Sequence, residues 1–161
     1  RDVSFTMEPG ERLGLIGGVR TIESGAWERP LRAAGRAVTA RVAQPLSAHI
    51  EAGRLDGPEL EADLDAILGP LAGVDAVILA CTHYPAIAPA IARRLPGVAL
   101  LDPAPALVRV VDQAWFHGAR RQDRAGTLRV LTTGSPEVMR VAAFGAFGVR
   151  LADVDRRELT L

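Results

Sequence analysis

Short apolar runs alternate along this chain with longer segments whose apolar residues recur every three to four positions. The short runs are typical of buried strands, and the longer segments are typical of helices that pack one face on a sheet. The clearest helix follows Pro58, and its apolar stripe consists of Leu60, Leu64, Ile67, Leu68 and Leu71. Because alternating strands and helices form parallel sheets, the sequence predicts an α/β fold with a mostly parallel sheet and helices on both faces.

The order of the predicted elements can be read along the whole chain. The predicted strands are 12–17, 37–43, 75–80, 97–101, 127–132 and 149–154. The predicted helices are 21–34, 45–53, the segment after Pro58, 85–95, 104–118 and 136–147. Thr21 or Ser24 is expected to cap the first helix, since hydroxyl side chains accept hydrogen bonds from the free N–H groups of a helix start.

Composition excludes several classes of function. The 161 residues carry zero net charge, and all nineteen basic residues are arginines, so lysine chemistry such as Schiff-base catalysis is excluded within this chain. No basic stripe is interleaved with aromatic residues, so no nucleic-acid partner is expected. The apolar runs fall far short of the roughly 20 residues that span a bilayer, so no membrane partner is expected. One cysteine cannot form an intrachain disulfide, which favours a cytoplasmic location.

That cysteine, Cys81, lies between the apolar run 77–80 and a helix-opening string, Thr82-His83-Tyr84-Pro85. A thiol at the carboxyl end of a parallel strand faces the crevice where open α/β sheets bind ligands. The helix start favours the thiolate, and His83 can add positive charge or shuttle a proton. An inert core cysteine is the alternative, and the neighbouring string argues against it.

The segment 74–85, Val-Asp-Ala-Val-Ile-Leu-Ala-Cys-Thr-His-Tyr-Pro, resembles the signature around the second catalytic cysteine of the glutamate racemases, within the aspartate/glutamate racemase family. Segments 16–26 and 45–53 resemble the family's strand-then-threonine turn and its short helix with a glutamate. Segments 100–104 and 131–134 resemble its later strand ends, so the likeness covers residues 11–154. The family usually has threonine where Gly18 stands.

The resemblance implies a cofactor-independent isomerase that interconverts L- and D-glutamate for peptidoglycan precursor supply. In that chemistry one cysteine takes the α-proton and a second returns one. Cys81 would be one of the pair, His83 would tune or relay its proton, and Glu51 would orient the imidazole or assist. Thr82, His83 and Thr21 would bind the substrate. The resemblance implies no pyridoxal phosphate, nucleotide or metal, and it leaves a homodimer open.

Several alternatives stay open from the residues themselves. Glu51 on a short helix can also be a solvated surface carboxylate, and Thr21 can be a simple helix cap. His49 and His117 are interpreted as surface residues without partners. For the whole chain, the alternatives are an aspartate or hydantoin racemase-type isomerase, or a catalytically inactive truncated remnant.

The resemblance also divides the chain into four parts. Residues 1–10 are a leader of uncertain origin, 11–101 the racemase lobe with the Cys81 motif, and 102–126 a crossover helix and loop. Residues 127–161, the return segment, are expected to complete an amino-terminal lobe that is missing here, together with the first catalytic cysteine. We therefore expect the chain to be inactive alone, and the apolar face formed by Val138, Val141, Ala142 and Phe144 to lack its partner.

Overall fold

The structure is a computed structural model that describes residues 10–116 and 126–159. Residues 1–9 of the predicted leader, and His117, lie outside these ranges. In the part that is described, no helix combines the length and the apolar character that crossing a membrane requires.

Residues 11–101, the lobe with the Cys81 motif, are built on a four-stranded parallel sheet. Its strands are β1 (Arg12–Gly17), β2 (Ala37–Val42), β3 (Ala76–Ala80) and β4 (Ala99–Leu101). They lie in the order β2-β1-β3-β4. All five residues of β3 are buried, as expected for a strand covered on both faces.

Helices occupy the connections between the strands. They are α1 (Val19–Glu23), α2 (Glu28–Ala33), α3 (Gln44–Glu51), α4 (Pro58–Leu68), α5 (Ala88–Arg94), α6 (Ala104–Val111) and α7 (Pro136–Phe147). Short 3₁₀ turns, Gly69–Leu71 and Tyr84–Ile87, precede β3 and α5, and a π-helical turn, Asp112–Phe116, follows α6.

Successive residues of β3 point into two separate cores, because side chains alternate across a strand. Val77 and Leu79 belong to a core that includes buried residues of α3, α4 and α5. Ile78 and Ala80 belong to a second core, on which residues of α1 and α2 pack. Helices therefore cover both faces, and the predicted α/β class with a mostly parallel sheet is confirmed.

The described part of the return segment forms a separate β-α-β unit. Strands β5 (Arg129–Thr132) and β6 (Asp153–Arg156) pair in parallel, and α7 connects them. Arg129 and Asp155 form an ion pair across the two strands. Helix α7 lies against α3 and the 3₁₀ turn Tyr84–Ile87, and Ala146 packs on the core of the lobe. Many other apolar side chains stay exposed, among them Leu128, Leu131, Val138, Val141 and Phe144.

The helix predicted over 136–147 is confirmed at both ends by its capping residues. Ser135 is the N-cap, and its hydroxyl accepts a hydrogen bond from Val138 N at 3.4 Å. Pro136 occupies the first turn, where its missing N–H costs nothing. Gly148 ends the helix at a φ of 66°, a left-handed conformation that glycine adopts easily.

Two predicted elements differ most from the structure, and others differ by a few residues at their ends or continue into a 3₁₀ or π turn. The segment 21–34 is not one helix, because the chain turns at Gly25, where φ is 61°, and α2 starts only at Glu28. Thr21 lies inside α1 and Ser24 follows it, so neither is the N-cap of that helix, a position held by Gly18. The last strand starts at Asp153 and not at 149, because its pairing with β5 decides which residues join the ladder.

Candidate active site

Cys81 is the first residue after β3, and its side chain is partly exposed. Ala80 pairs in register with Gly17, so β3 and β1 end at the same edge of the sheet. The carboxyl edge of a parallel sheet is where open α/β folds bind ligands. Cys81 therefore stands at the binding edge and is not a fully buried core residue.

Three polar side chains interact with the sulfur of Cys81, namely His83, Ser47 and Tyr84. His83 Nδ1 lies 3.4 Å from Sγ, and Ser47 Oγ lies 3.7 Å from it. On its other side, His83 Nε2 lies 3.3 Å from Glu51 Oε1. The structure thus brings Glu51, His83 and Cys81 into one line of contacts, although Glu51 itself is largely exposed.

Helix α3 supplies two of the polar groups near the thiol, Ser47 and Glu51. Ser47 and Glu51 are four residues apart, and this spacing puts them on one helix face. Ser47 meets Cys81, and Glu51 meets His83 one turn further on. Docking of α3 therefore decides which groups surround the thiol.

Tyr84 forms the buried wall behind this cluster. It is fully buried, and its hydroxyl donates a hydrogen bond to the backbone oxygen of Ala43 at 2.9 Å. Burial, followed by the negative charge of Cys81, raises the pKa of Tyr84 to about 12. The phenol therefore stays neutral beside the thiol near neutral pH.

A cavity of about 370 Å³ opens beside Cys81. It is lined by Trp27, Ala80, Cys81, Thr82, Asp102, Pro103, Ala104 and Leu107. A second cavity of about 380 Å³ shares Trp27, Asp102 and Pro103 with the first. The first cavity places the thiol and the exposed Thr82 where a small molecule can reach both.

Of the predicted site residues, Cys81 and Thr82 line this cavity, whereas His83, Glu51 and Thr21 do not. Thr21 is also separate from the line of contacts that joins Glu51 and His83 to Cys81. It lies on α1, just after the end of β1, and its backbone oxygen accepts a hydrogen bond from Ser24 Oγ at 2.9 Å. Thr21 thus shares the sheet edge with Cys81 without lining the space next to the thiol.

The interpretation of His49 as a partnerless surface residue is wrong. Its side chain is buried, and Nε2 lies 2.8 Å from Asp63 Oδ2 on α4. Arg54 Nε donates to Nδ1 at 3.2 Å. Since a guanidinium can only donate, Nδ1 must accept, and the ring proton that remains sits on Nε2 and points to Asp63. His49 therefore joins α3 to α4.

The sequence did not reveal Ser47, Tyr84, Trp27 or Asp102 as parts of the site. A signal existed for Ser47, since it precedes Glu51 by one helical turn. Asp102 directly follows β4, at the same sheet edge as Cys81. Within 10–116 and 126–159, no group of three or more His, Cys, Asp and Glu side chains is placed to hold a metal ion.

Comparison with known proteins gives consistent matches to one group. The family model described as Asp/Glu/Hydantoin racemase matches residues 3–111. A glutamate racemase of Desulforudis audaxviator is 34% identical over 145 residues, which cover 82% of this chain and 53% of the relative. One of Shouchella clausii is 38% identical over 137 residues, which cover 81% and 50%. The chain thus spans about half the length of the curated relatives it matches.

Solved structures of glutamate racemases also match this chain. Glutamate racemase from Thermus thermophilus, in complex with β-chloro-D-alanine, matches with a TM-score of 0.76 and 33% identity, covering 94% of this chain and 58% of its own. The enzyme from Francisella tularensis, in complex with D-glutamate, gives a TM-score of 0.81, covering 92% and 58%. At 22% identity the second likeness shows the fold alone.

Proposed function

Because the chain belongs to the Asp/Glu/Hydantoin racemase family, we propose that it carries one of the two proton-transferring thiols of a cofactor-independent racemase that interconverts L- and D-glutamate. The observation that supports this proposal most directly is the position of Cys81 Sγ at a cavity, 3.4 Å from an imidazole nitrogen. In the same proposal, the D-glutamate formed is a precursor for peptidoglycan.

The reaction needs a base that is close to the substrate and well aimed, because the α-hydrogen of an amino acid is a very weak acid. The Cys81 thiolate takes the α-proton from one face and becomes a thiol, and the substrate becomes a carbanion. A second thiol then gives a proton to the opposite face and becomes a thiolate. No net oxidation occurs, and the two sulfurs have exchanged protonation states.

His83 and Glu51 are proposed to control the proton on Cys81. An imidazole with protons on both nitrogens can donate to the sulfur through Nδ1 while Nε2 faces the Glu51 carboxylate, 3.3 Å away. This arrangement stabilises the thiolate by an adjacent positive charge. When Cys81 takes up a proton, the same contact orients the imidazole for the reverse transfer.

The substrate contacts are proposed from the cavity. Thr82 lines it next to the thiol, so its hydroxyl and the backbone N–H groups after β3 are available to a carboxylate. Thr21 is proposed to contact the substrate from the end of β1, and His83 from beside the sulfur. The choice of glutamate is supported by the curated relatives named glutamate racemase and by the 33% identical structure of glutamate racemase from Thermus thermophilus.

The test is an exchange experiment on the chain as it stands. Purified protein is incubated with L-glutamate in heavy water, and α-proton exchange and optical rotation are followed together. With Cys81 as the only cysteine, we expect at most slow exchange without efficient inversion, and none in the Cys81→Ser variant. Inversion with a turnover of about 1–10³ s⁻¹, an ordinary enzyme range, would contradict the two-thiol mechanism.

The substrate assignment has its own control. The same incubation with L-aspartate or a hydantoin should give slower exchange than with L-glutamate. Faster exchange with either would move the assignment to the other branches of the family. Absence of Cys81-dependent exchange with all three would overturn the proposed activity of this half-site.

A further inference from the structure

Two polar side chains besides Tyr84 are buried among the described residues, and both lie on α3. They are Ser47 and His49, at 5% and 6% exposure. His49 is engaged by Asp63 and Arg54, as shown above. Ser47 is different, because its hydroxyl lies 3.7 Å from the sulfur of Cys81 and also interacts with the Tyr84 side chain. A buried hydroxyl needs a hydrogen-bond partner, so the question is which atom accepts a hydrogen bond from Ser47.

The usual acceptor for a serine inside a helix is the backbone oxygen four residues earlier. For Ser47 this is the oxygen of Ala43. That oxygen already accepts from Leu46 N at 3.1 Å and from the Tyr84 hydroxyl at 2.9 Å. A carbonyl oxygen has two lone pairs, so these two donors occupy the acceptor that Ser47 would ordinarily use.

Tyr84 also interacts with the sulfur of Cys81, but its hydroxyl donates its hydrogen bond to another acceptor. Its single proton is directed to Ala43, and its hydroxyl stays protonated because burial raises its pKa to about 12. On the buried side of Cys81, the Ser47 hydroxyl has two acceptors within reach, the sulfur and the Tyr84 oxygen. It lies opposite the partly exposed imidazole of His83.

We propose that Ser47 donates a hydrogen bond to the sulfur of Cys81 and thereby stabilises its thiolate from the buried side. Ser47 contacts the reacting atom, so it is a further catalytic residue of the half-site. Its role in racemisation rests on the proposed function, whereas its effect on the thiol can be measured without any substrate.

The electrostatic surroundings of the thiol decide how this must be tested. Cys81 is faced by His83, with Glu51 behind it, by Tyr84 from the 3₁₀ turn, and by Asp102 across the cavity. Each of these groups titrates or carries charge. A substitution at Ser47 removes none of these groups, but it also removes the contact of Ser47 with the Tyr84 hydroxyl. The comparison of hydroxyl-bearing with hydroxyl-free side chains at position 47 therefore carries the test.

The experiment measures the rate at which iodoacetamide alkylates Cys81, the sole thiol, at about pH 7 relative to about pH 10, where free thiols are ionised. Three variants are compared: Ser47→Ala, Ser47→Thr and Ser47→Val. Threonine and valine have nearly the same shape and differ in the hydroxyl, so this pair separates hydrogen bonding from packing. Ala48→Ser, at an exposed neighbouring position, is the control.

Loss of a hydrogen bond to a charged sulfur should lower the ratio of the alkylation rate at about pH 7 to that at about pH 10. We expect this ratio to fall about three- to tenfold in the alanine variant relative to the parent. We expect a fall of the same size in the valine variant relative to the threonine variant. The threonine and Ala48→Ser variants should stay within about twofold of the parent. Equal ratios in the threonine and valine variants would overturn the proposal. If bulk at position 47 prevents folding, Ser47→Ala against the parent decides alone.

The outcome is separable from that of the proposed function. If Cys81 in the parent reacts no faster at neutral pH than free cysteine, the proposal that Cys81 is a reactive thiol is contradicted. The difference between the threonine and valine variants still measures the hydrogen bond of Ser47 in that case. A reactive parent with no difference between these variants would remove Ser47 and leave the racemase proposal intact.

Discussion

The racemase lobe and the return segment use the same elements and bury them very differently. Each has parallel strands joined through helices, but the lobe covers its sheet on both faces and the return segment does not. Among the residues of the return segment that the structure describes, Val154 is the one buried apolar side chain. A β-α-β unit is therefore not a stable layer by itself, because its stability depends on what covers each face.

The largest expected difference between the regions is in hydrogen exchange. Amides of β1 and β3 should open only with the whole lobe, whereas amides of β5, α7 and β6 should open locally. We expect protection factors in the lobe to exceed those in the return segment by about 100-fold or more. Equal strong protection in both regions of a monomer would show that the division at residues 102–126 is wrong.

A matched pair of valines extends the comparison to single side chains. Val77 on β3 is fully buried, and Val141 on α7 is 71% exposed. Val77→Ala should lower the free energy of unfolding by about 2–3 kcal/mol, because it leaves a cavity in a packed core. Val141→Ala should change it by less than about 0.5 kcal/mol. Urea unfolding followed by circular dichroism measures both, and equal losses would contradict the burial difference.

The last prediction concerns one titration in the lobe, which has an effect only at alkaline pH. Tyr84 is the only tyrosine, so its phenolate absorbance is resolved in the whole chain. Its pKa in the folded chain is raised from 10.0 to about 12, chiefly by burial. The unfolded chain therefore ionises first, and the stability that neutral Tyr84 contributes is complete below pH 10.0 and is lost as the pH rises towards about 12.

A spectroscopic titration checks this directly. The midpoint should lie near 12 in folded protein and near 10.0 in urea-unfolded protein. A midpoint near 10.0 in protein that keeps its circular dichroism would show that Tyr84 is accessible, and the buried wall behind Cys81 would then be wrong.

Local signals explain which parts of the fold could be predicted. The ends of α7 follow from Ser135, Pro136 and Gly148, and β3 follows from an uninterrupted apolar run before Cys81. The break at Gly25 was also encoded, but a glycine is tolerated in many helices, so the periodicity of 21–34 concealed it. The start of β6 depends on pairing with β5, which no local pattern contains.

In the candidate site, too, local sequence predicts some features, while others depend on contacts between separate elements. Cys81, Thr82 and His83 are neighbours in sequence, and their proximity to one another was evident from the string alone. The contact between His83 and Glu51 spans two separate elements, and the structure brings the two within 3.3 Å, while the roles of both remain proposals. The burial of His49 depends on Asp63, fourteen residues away on another helix, so sequence pattern could not show it.

Helix α3 joins two environments that are otherwise separate. One side carries Ser47 and Glu51 towards the Cys81 cluster, while His49 attaches the same helix to Asp63 of α4. A substitution on α4 can therefore alter the thiol without touching the cavity. Under the proposed function, we expect substitutions selected on α4 for packing to change the reactivity of Cys81 as well. Such epistasis would not be found by a survey limited to cavity residues.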